Sequence, residues 1–200
     1  MMNYLEKKKK ALMNYVSAEP SGYDVTIQFH SNNYTVDVTI NGVTTTYTMG
    51  EVQANPVDLG CAYLTYRAFS AARYDVISKG TVDYNGNTIT KGKQVLSALY
   101  SSNDTFTFSG TDEPTPSGVT EWYMINSART TIFTDTDVWF GQFFVGVPHQ
   151  FGCIEWTYGS GACKIYALKP LTYNGVNYNT GDLVRQFGYG TVTDMIFEEI

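Results

Sequence analysis

The chain contains nearly the same twelve-residue sequence twice. Residues 84–95 read YNGNTITKGKQV and residues 173–184 read YNGVNYNTGDLV, so the second copy begins 89 positions after the first (173 − 84). At this offset the match continues to the C-terminus and pairs Gly92 with Gly181. A repeat of this size constrains the fold more than any local pattern, because both copies must form similar units. The sequence therefore predicts an internal duplication.

The repeat also extends upstream and sets the predicted domain boundaries. Residues 60–66, GCAYLTY, match residues 152–158, GCIEWTY, at an offset of 92 (152 − 60). The change of offset is small enough for a hairpin loop to absorb, since loops tolerate changes in length. Residues 109–118, SGTDEPTPSG, have the composition of an exposed linker. We predict one domain over residues 20–108 and a second over residues 119–200.

Alternating and turn-forming residues predict antiparallel β-structure in both copies. Residues 34–40, YTVDVTI, alternate with period two, and the following Asn41-Gly42 is typical of a type I′ hairpin turn. The repeated Tyr-Asn-Gly predicts a tight turn in the same way. The content of 16 Tyr and 11 Phe also suits strands. We expect two tandem duplicated antiparallel β-sandwich or barrel domains of about six or seven strands each, in the all-β class.

One segment of the first copy is ambiguous when taken alone. Residues 61–78 contain good helix formers such as Ala, Leu and Arg. Their counterpart in the second copy is interrupted by Gly159 and Gly161, in the pattern of strand, turn and strand. If the two copies share a fold, residues 61–78 also form a hairpin.

The first residues have a different period and predict a short amphipathic helix over residues 1–18, before Pro20. A helix of this length is marginal in water, so its apolar face needs a partner. Three partners are open: the β-domains of the same chain, a membrane surface that attracts the four lysines at positions 7–10, and other subunits. The residues predicted to dock onto a partner are Leu5, Leu12, Tyr15 and Val16.

Charge and hydropathy argue against several classes of partner. The net charge is −6, and without Lys7–Lys10 and Glu6 the remainder has 9 basic and 18 acidic residues, or −9. Such an acidic body is unsuited to nucleic acid, whose binding requires the neutralisation of phosphates. No stretch approaches the ~20 apolar residues that a membrane-spanning helix needs, so we expect no membrane insertion. The basic run does not lead into an apolar signal segment, and we expect synthesis in a cytosol.

Nothing in the sequence nominates a catalytic centre, a metal site or a cofactor. The only histidines are His30 and His149, too few for the usual zinc sites, and no motif of a known catalytic class is present. Asp135 and Asp137 lack the glycine and glutamate of a calcium loop. The three cysteines are odd in number and lack metal-ligand spacing, so we expect buried thiols. We expect a protein that is not an enzyme, although a pair of carboxylates from two strands stays open.

The two copies differ most in their aromatic residues. All three tryptophans, Trp122, Trp139 and Trp156, lie in the second copy. Trp156 matches Leu64 of the first copy and is interpreted as core. Trp139 and Phe140 are adjacent and point to opposite faces of a strand, so both cannot face their own core. We predict an interface or ligand-binding role for Trp139, Phe140 and Trp122, with coverage by the first copy or by the N-terminal helix as the alternative.

The opening sequence MNYLEKKKKALMNYV, residues 2–16, resembles the start of small tail-tip, baseplate or fibre-like proteins of phages and prophages of Gram-positive bacteria. This resemblance covers 15 of 200 residues. It implies a structural virion component that is assembled in the host cytoplasm and contacts other tail subunits. Two similar domains per chain would suit a trimer or hexamer on a threefold or sixfold tail. The alternatives are a receptor- or carbohydrate-binding module with its site in the second copy, directed to a host surface glycan, and a capsid decoration protein.

Overall fold

The computed structural model describes residues 22–67, 72–126, 129–188, 190–191 and 193–200. These residues form twenty β-strands and one short helix, and the strands build four antiparallel sheets. The all-β class is as predicted. The predicted N-terminal helix, with the docking residues Leu5, Leu12, Tyr15 and Val16, lies outside the described residues. Within the described ranges, no helix is long and apolar enough to cross a membrane.

The first half of the chain, residues 23–110, begins with a six-stranded sheet, called sheet 1, in the order β3-β2-β1-β10-β7-β8. Alternation along β1 directs Val25, Ile27 and Phe29 into the core. The predicted hairpin turn joins β2 to β3, with positive φ angles of 48° at Asn41 and 83° at Gly42. The strands of sheet 1 are β1 Tyr23–His30, β2 Thr35–Ile40, β3 Val43–Thr48, β7 Val82–Tyr84, β8 Asn87–Ile89 and β10 Thr105–Gly110.

A four-stranded sheet, called sheet 2, completes the first half in the order β4-β5-β6-β9. The ambiguous segment is a hairpin, as predicted, because β5 pairs antiparallel with β6. Leu64, Tyr74 and Val76 of sheet 2 pack against sheet 1 in one apolar core. The strands of sheet 2 are β4 Val57–Asp58, β5 Ala62–Arg67, β6 Arg73–Ser78 and β9 Gln94–Leu99.

The second half, residues 119–200, has the same strand order. Sheet 3 has six strands in the order β13-β12-β11-β20-β17-β18, and sheet 4 has four in the order β14-β15-β16-β19. Sheet 3 contains β11 Val119–Asn126, β12 Arg129–Thr134, β13 Val138–Gln142, β17 Leu171–Tyr173, β18 Val176–Tyr178 and β20 Asp194–Glu199. Sheet 4 contains β14 His149–Phe151, β15 Ile154–Gly159, β16 Ala162–Ala167 and β19 Leu183–Gly188. A second apolar core lies between these sheets.

The correspondence between the halves reaches individual residues. The ladder of β6 and β9 shifts register between Val76 and Ile77, and that of β16 and β19 shifts after Ile165, 89 positions later (165 − 76). Both Tyr-Asn-Gly segments form the predicted turns, with φ of 49° at Asn85 and at Asn174. Backbone geometry therefore accounts for the repeated glycines and asparagines.

Two details differ from the expectation. Each half has ten strands instead of six or seven, because the pairs β7–β8 and β17–β18 consist of three-residue strands too short to show alternation. The helix α1, Met49–Ala54, was not predicted. Its signal is a capping box, in which the Thr48 hydroxyl accepts from the Glu51 N–H and the Glu51 carboxylate accepts from the Thr48 N–H.

The halves join face to face. The outer face of sheet 2 packs on the outer face of sheet 3, where the ring of Tyr63 lies 6.2 Å from Phe133 and 5.6 Å from Phe140. Ile77 and Phe133 are buried at 0% and 2% exposure, yet neither belongs to the apolar core of its own half. Sheets 1, 2, 3 and 4 therefore stack in this order. A buried layer between sheets 2 and 3 joins the halves, in addition to the apolar core inside each half.

A pair of matched glycines tests this junction. A Cβ atom on Gly92 would lie 2.1 Å from Cγ of Tyr123 in the second half, whereas one on Gly181 would meet nothing within 4 Å. Both glycines have positive φ, so Gly181→Ala should cost about 1 kcal/mol through backbone strain alone. Gly92→Ala should cost roughly 1–3 kcal/mol more, through overpacking of the junction. Urea unfolding of the two variants measures the difference, and equal losses would contradict the described junction.

Candidate functional site

The structure separates the two adjacent aromatic residues of β13. Trp139 points toward the core of the second half, with ring centroids 5.4 Å from Phe151 and 5.6 Å from Trp156. Phe140 points the other way, toward Tyr63 of the first half and Phe133 of β12. The second face of β13 is thus covered by the first half, which was the alternative considered from sequence. Both rings keep partial exposure.

Trp122 occupies a different environment. It is 0% exposed and lies at the centre of the second core, with its ring 5.5 Å from Trp156. This position leaves no surface on Trp122 for a ligand or a partner. Of the three predicted residues, the structure therefore places only Trp139 and Phe140 beside a cavity.

Phe133 and Phe140 of the second half are aromatic residues of the junction, whereas the tryptophans pack in the inner core. Gln28 and Tyr123 occupy corresponding places on the outer faces of sheets 1 and 3, since they pair with Thr105 and Asp194, which are 89 positions apart (194 − 105). The outer face of sheet 1 is polar and partly exposed, whereas sheet 3 buries Phe133 and Thr131 against the first half. Aromatic side chains are thus found where a second face needed packing.

A buried ion cluster holds one end of the junction. Asp75 of β6 is 0% exposed and accepts a hydrogen bond from Nη1 of Arg129 in β12, across the two halves. Arg67 Nε lies 3.3 Å from the same carboxylate, and Gln94 Nε2 donates to its other oxygen at 3.1 Å. Burial lowers the pKa of Arg129, and the charge of Asp75 opposes this shift. The carboxylate is needed, because an unpaired buried guanidinium would be costly.

A second set of ionic contacts lies along the same junction. Lys91 pairs with Glu121 of the second half, and its ammonium lies 5.2 Å from the centre of the Phe133 ring. Thr115, between the halves, accepts a hydrogen bond from Lys91 and donates one to Glu121. The segment predicted to be an exposed linker therefore packs partly into the junction. Near the rim, Lys93 pairs with Asp194 at 2.6 Å.

A cavity of about 300 Å³ opens at the end of the junction that holds the ion cluster. We call it the corner cavity. Its walls combine aromatic rings, two arginines and the amide of Gln142, and both halves contribute to it. The lining residues are Thr65, Tyr66, Arg67, Arg129, Trp139, Phe140, Gly141, Gln142 and Phe144.

An apolar loop borders the corner cavity. Residues 143–148, between β13 and β14, read FFVGVP, and Phe144, Val145 and Val147 are 53%, 72% and 47% exposed. In the first half the same place in the strand order holds helix α1, whose Val52 is buried. The second half therefore presents apolar side chains where the first half has a capped helix. Such exposure is unusual for a free surface.

The sequence analysis nominated no metal site and no catalytic centre. Within the parts of the chain that the structure describes, no group of three His, Cys, Asp or Glu side chains could hold a metal ion. Asp137 belongs to a turn in which its N–H donates to the Thr134 hydroxyl at 2.8 Å. His30 hydrogen-bonds to Asp37 at 2.9 Å, and His149 stacks on Trp156 with ring centroids 4.7 Å apart.

The three cysteines are buried thiols, as predicted. Burial raises the pKa of Cys61 to about 11 and that of Cys163 to about 12, and it also raises the pKa of Cys153. Thiols with such pKa values are protonated at neutral pH and are poor nucleophiles.

The sequence analysis missed Arg67, Asp75 and Arg129. A signal was present, because all three differ between the copies: register places Gly159 at the position of Arg67, Lys164 at that of Asp75 and Thr35 at that of Arg129. Charged residues that change between otherwise matching strands mark the faces that differ in environment.

No protein-family model, curated protein or solved structure matches this chain.

A double-mutant cycle tests the contact of Phe140 with the first half. Phe140→Ala and Tyr63→Ala each remove one ring of an edge-to-face pair, 5.6 Å between centroids. The coupling free energy should be about 0.5–1.5 kcal/mol, measured by urea unfolding of the two single variants and the double variant. Trp139→Ala with Tyr63→Ala serves as the control and should show additive losses. Additivity for the Phe140 pair as well would contradict the described contact.

Removal of the buried carboxylate tests the ion cluster. Asp75→Asn leaves Arg129 without a counter-charge and should lower the free energy of unfolding by roughly 3–5 kcal/mol. The exposed Asp24 provides a matched control, since Asp24→Asn should change stability by less than about 0.5 kcal/mol. Chemical denaturation gives both values, and a loss below about 1 kcal/mol at position 75 would argue against the pair as the anchor of the junction.

Proposed function

We propose that this chain is a non-enzymatic structural component of a phage or phage-derived tail. The observation that carries the proposal is the opening sequence of residues 2–16, with its resemblance to small tail-tip and baseplate proteins. In this proposal the segment docks onto other tail subunits through Leu5, Leu12, Tyr15 and Val16. The protein is then part of a virion that is assembled in the host cytoplasm.

The body supports a mechanical role. The apolar layer of Ile77 and Phe133 and the pairs Asp75–Arg129 and Lys91–Glu121 join the two halves. Separation of the halves would expose these apolar residues and leave buried charges without partners, which is unfavourable. A chain of this kind transmits force as one body, which suits a building block of a tail.

The repeated strand order supports an origin by duplication. Sheets 1 and 3, and sheets 2 and 4, have corresponding orders and corresponding bulges. We propose that two β-sandwich domains arose from one ancestral unit. Three such chains present six similar units, so a trimer could connect a partner of threefold symmetry to a partner of sixfold symmetry.

Deletion of residues 1–16 tests the docking proposal. We expect the full chain to form a trimer or hexamer in size-exclusion chromatography with light scattering, and the deleted chain to be a monomer. The far-UV circular dichroism and the unfolding midpoint of the β-body should be unchanged. Leu5→Asp with Leu12→Asp should reproduce the loss of assembly, and Lys7→Gln with Lys10→Gln should leave the assembly intact.

Two outcomes would contradict this proposal. A deleted chain that assembles like the full chain would show that the segment does not dock, and a deleted chain that fails to fold would show that it belongs to a domain core. Immunogold labelling of purified particles distinguishes a tail component from a capsid decoration protein by the place of the label.

A second candidate function is receptor or carbohydrate binding by the second half. It is favoured by the corner cavity, where the partly exposed rings of Trp139, Phe140 and Phe144 lie together with polar groups. Aromatic walls with a few hydrogen-bonding side chains are typical of small-ligand sites. This function is compatible with a place at a tail tip, since a structural subunit there can also contact the host surface.

A further inference from the structure

We propose that the corner cavity binds an acidic carbohydrate, that is, a sugar carrying a carboxylate or a phosphate group. The proposal rests on the second candidate function and specifies its ligand. It comes from the coincidence of an aromatic wall with an excess of positive charge in one cavity of an otherwise acidic protein.

The aromatic wall provides the surface for a sugar ring. Trp139 and Phe140 are half-buried, Phe144 is 53% exposed, and all three line the cavity. Their positions are fixed from behind, because Trp139 packs on Trp156 and Phe140 packs on Tyr63. A rigid aromatic surface offers contact area at a low cost in conformational entropy.

The arginines provide the charge. Arg67 and Arg129 both line the cavity and share one carboxylate, Asp75, so these three groups carry a net charge of +1. Burial is the main cause that lowers the pKa of Arg129, Asp75 opposes it, and the like charge of Arg67 adds to the lowering. An added anion would relieve this repulsion.

Arg67 is the group best placed to meet the anion. Its Nε lies 3.3 Å from the Asp75 carboxylate as an ion pair without a hydrogen bond, and among the described residues its terminal nitrogens make no side-chain hydrogen bond. A guanidinium presents a planar fork that matches a carboxylate or phosphate with two parallel hydrogen bonds. Because the Arg67 side chain is only 21% exposed, this contact would be less screened by water than a surface ion pair.

A second large cavity at the junction has a negative net charge. It measures about 480 Å³ and is lined by two lysines and four carboxylates, a net charge of −2, namely Lys79, Lys91, Asp112, Glu113, Asp135 and Asp137. Both lysines are already paired, Lys79 with Asp58 and Lys91 with Glu121. An acidic ligand would therefore select the corner cavity over this one.

The remaining lining residues fit a small sugar. Thr65 and Gln142 place a hydroxyl and an amide beside the rings, and these groups can bond to sugar hydroxyls. The volume of about 300 Å³ is at the lower end for ligand sites and suits one or two sugar rings. The terminal residues of a glycan chain would thus enter the cavity.

The test begins with the full chain on an array of immobilised glycans that contains neutral, carboxylated and phosphorylated sugars. We expect signals only from acidic glycans, and the carboxylated and phosphorylated arms identify the source of the charge. The strongest array ligand is then titrated by isothermal calorimetry, where affinity should fall as NaCl rises from 50 to 500 mM.

Four variants locate the site. Arg67→Gln and Phe144→Ala should each weaken binding roughly tenfold or more. Arg67→Lys should recover only part of the affinity, because it restores the charge without the fork. Lys169→Gln, which removes a surface charge paired with Glu199 away from the cavity, should leave affinity within about twofold. Thermal unfolding checks that each variant is folded, and Phe144→Ala keeps the test valid if Arg67→Gln is unstable.

Each contrary outcome has its own meaning. Binding to neutral glycans alone would overturn the acidic ligand and leave the carbohydrate-binding function standing. Absence of binding to every glycan would overturn both. Binding to acidic glycans that is insensitive to Arg67→Gln and Phe144→Ala would show that the ligand lies elsewhere on the chain.

Discussion

The pair formed by Asp75 and Arg129 is the interaction on which the arrangement of the two halves depends. The side chains of Arg129 and Asp75 are 7% and 0% exposed, so separation of the halves would leave Arg129 without this counter-charge. The apolar contacts of Phe133 and Phe140 bury surface between the halves, but the hydrophobic effect is not directional. A charge pair with a further ion pair from Arg67 and a hydrogen bond from Gln94 requires one relative position, and we infer that it fixes the register of the junction.

The junction also explains why the two halves, which share one strand order, have different surfaces. In the first half the outer face of sheet 1 is rich in threonine and partly exposed, as at Thr26 and Thr39. In the second half the matching face is covered, and Glu121 and Phe133 stand at the matching positions. The covered face thus carries an aromatic residue and a charge with a partner across the junction where the exposed face carries threonines. The tryptophans belong to a separate effect, since Trp122 and Trp156 fill the inner core of the second half.

The sequence predicted the fold class, the hairpins and the turns because these depend on local patterns and on the repeat. Asn41-Gly42 and the two Tyr-Asn-Gly segments carry their conformation in a few residues, and the glycines near 160 resolved the helix-like segment at 61–78. The short strands were miscounted, because three residues cannot display a period. The cavity could not be predicted, because Arg67 and Arg129 are distant in sequence and meet only when the halves pack. Opposite faces were predicted for Trp139 and Phe140, but a one-residue change of register would exchange them, so their assignment required the structure.

The position of the corner cavity follows from the same junction. Both halves line the cavity, and it opens beside the buried ion cluster, since Arg67 and Arg129 belong to its walls. Phe140, which packs on Tyr63 across the junction, lines the cavity together with Arg67 and Arg129 of the ion cluster. The groups that hold the halves together are therefore also the groups that a ligand would contact. It follows that ligand binding at this place would stabilise the junction, since a ligand held by Arg67 from the first half and by Trp139 and Phe144 from the second binds only when the halves are joined.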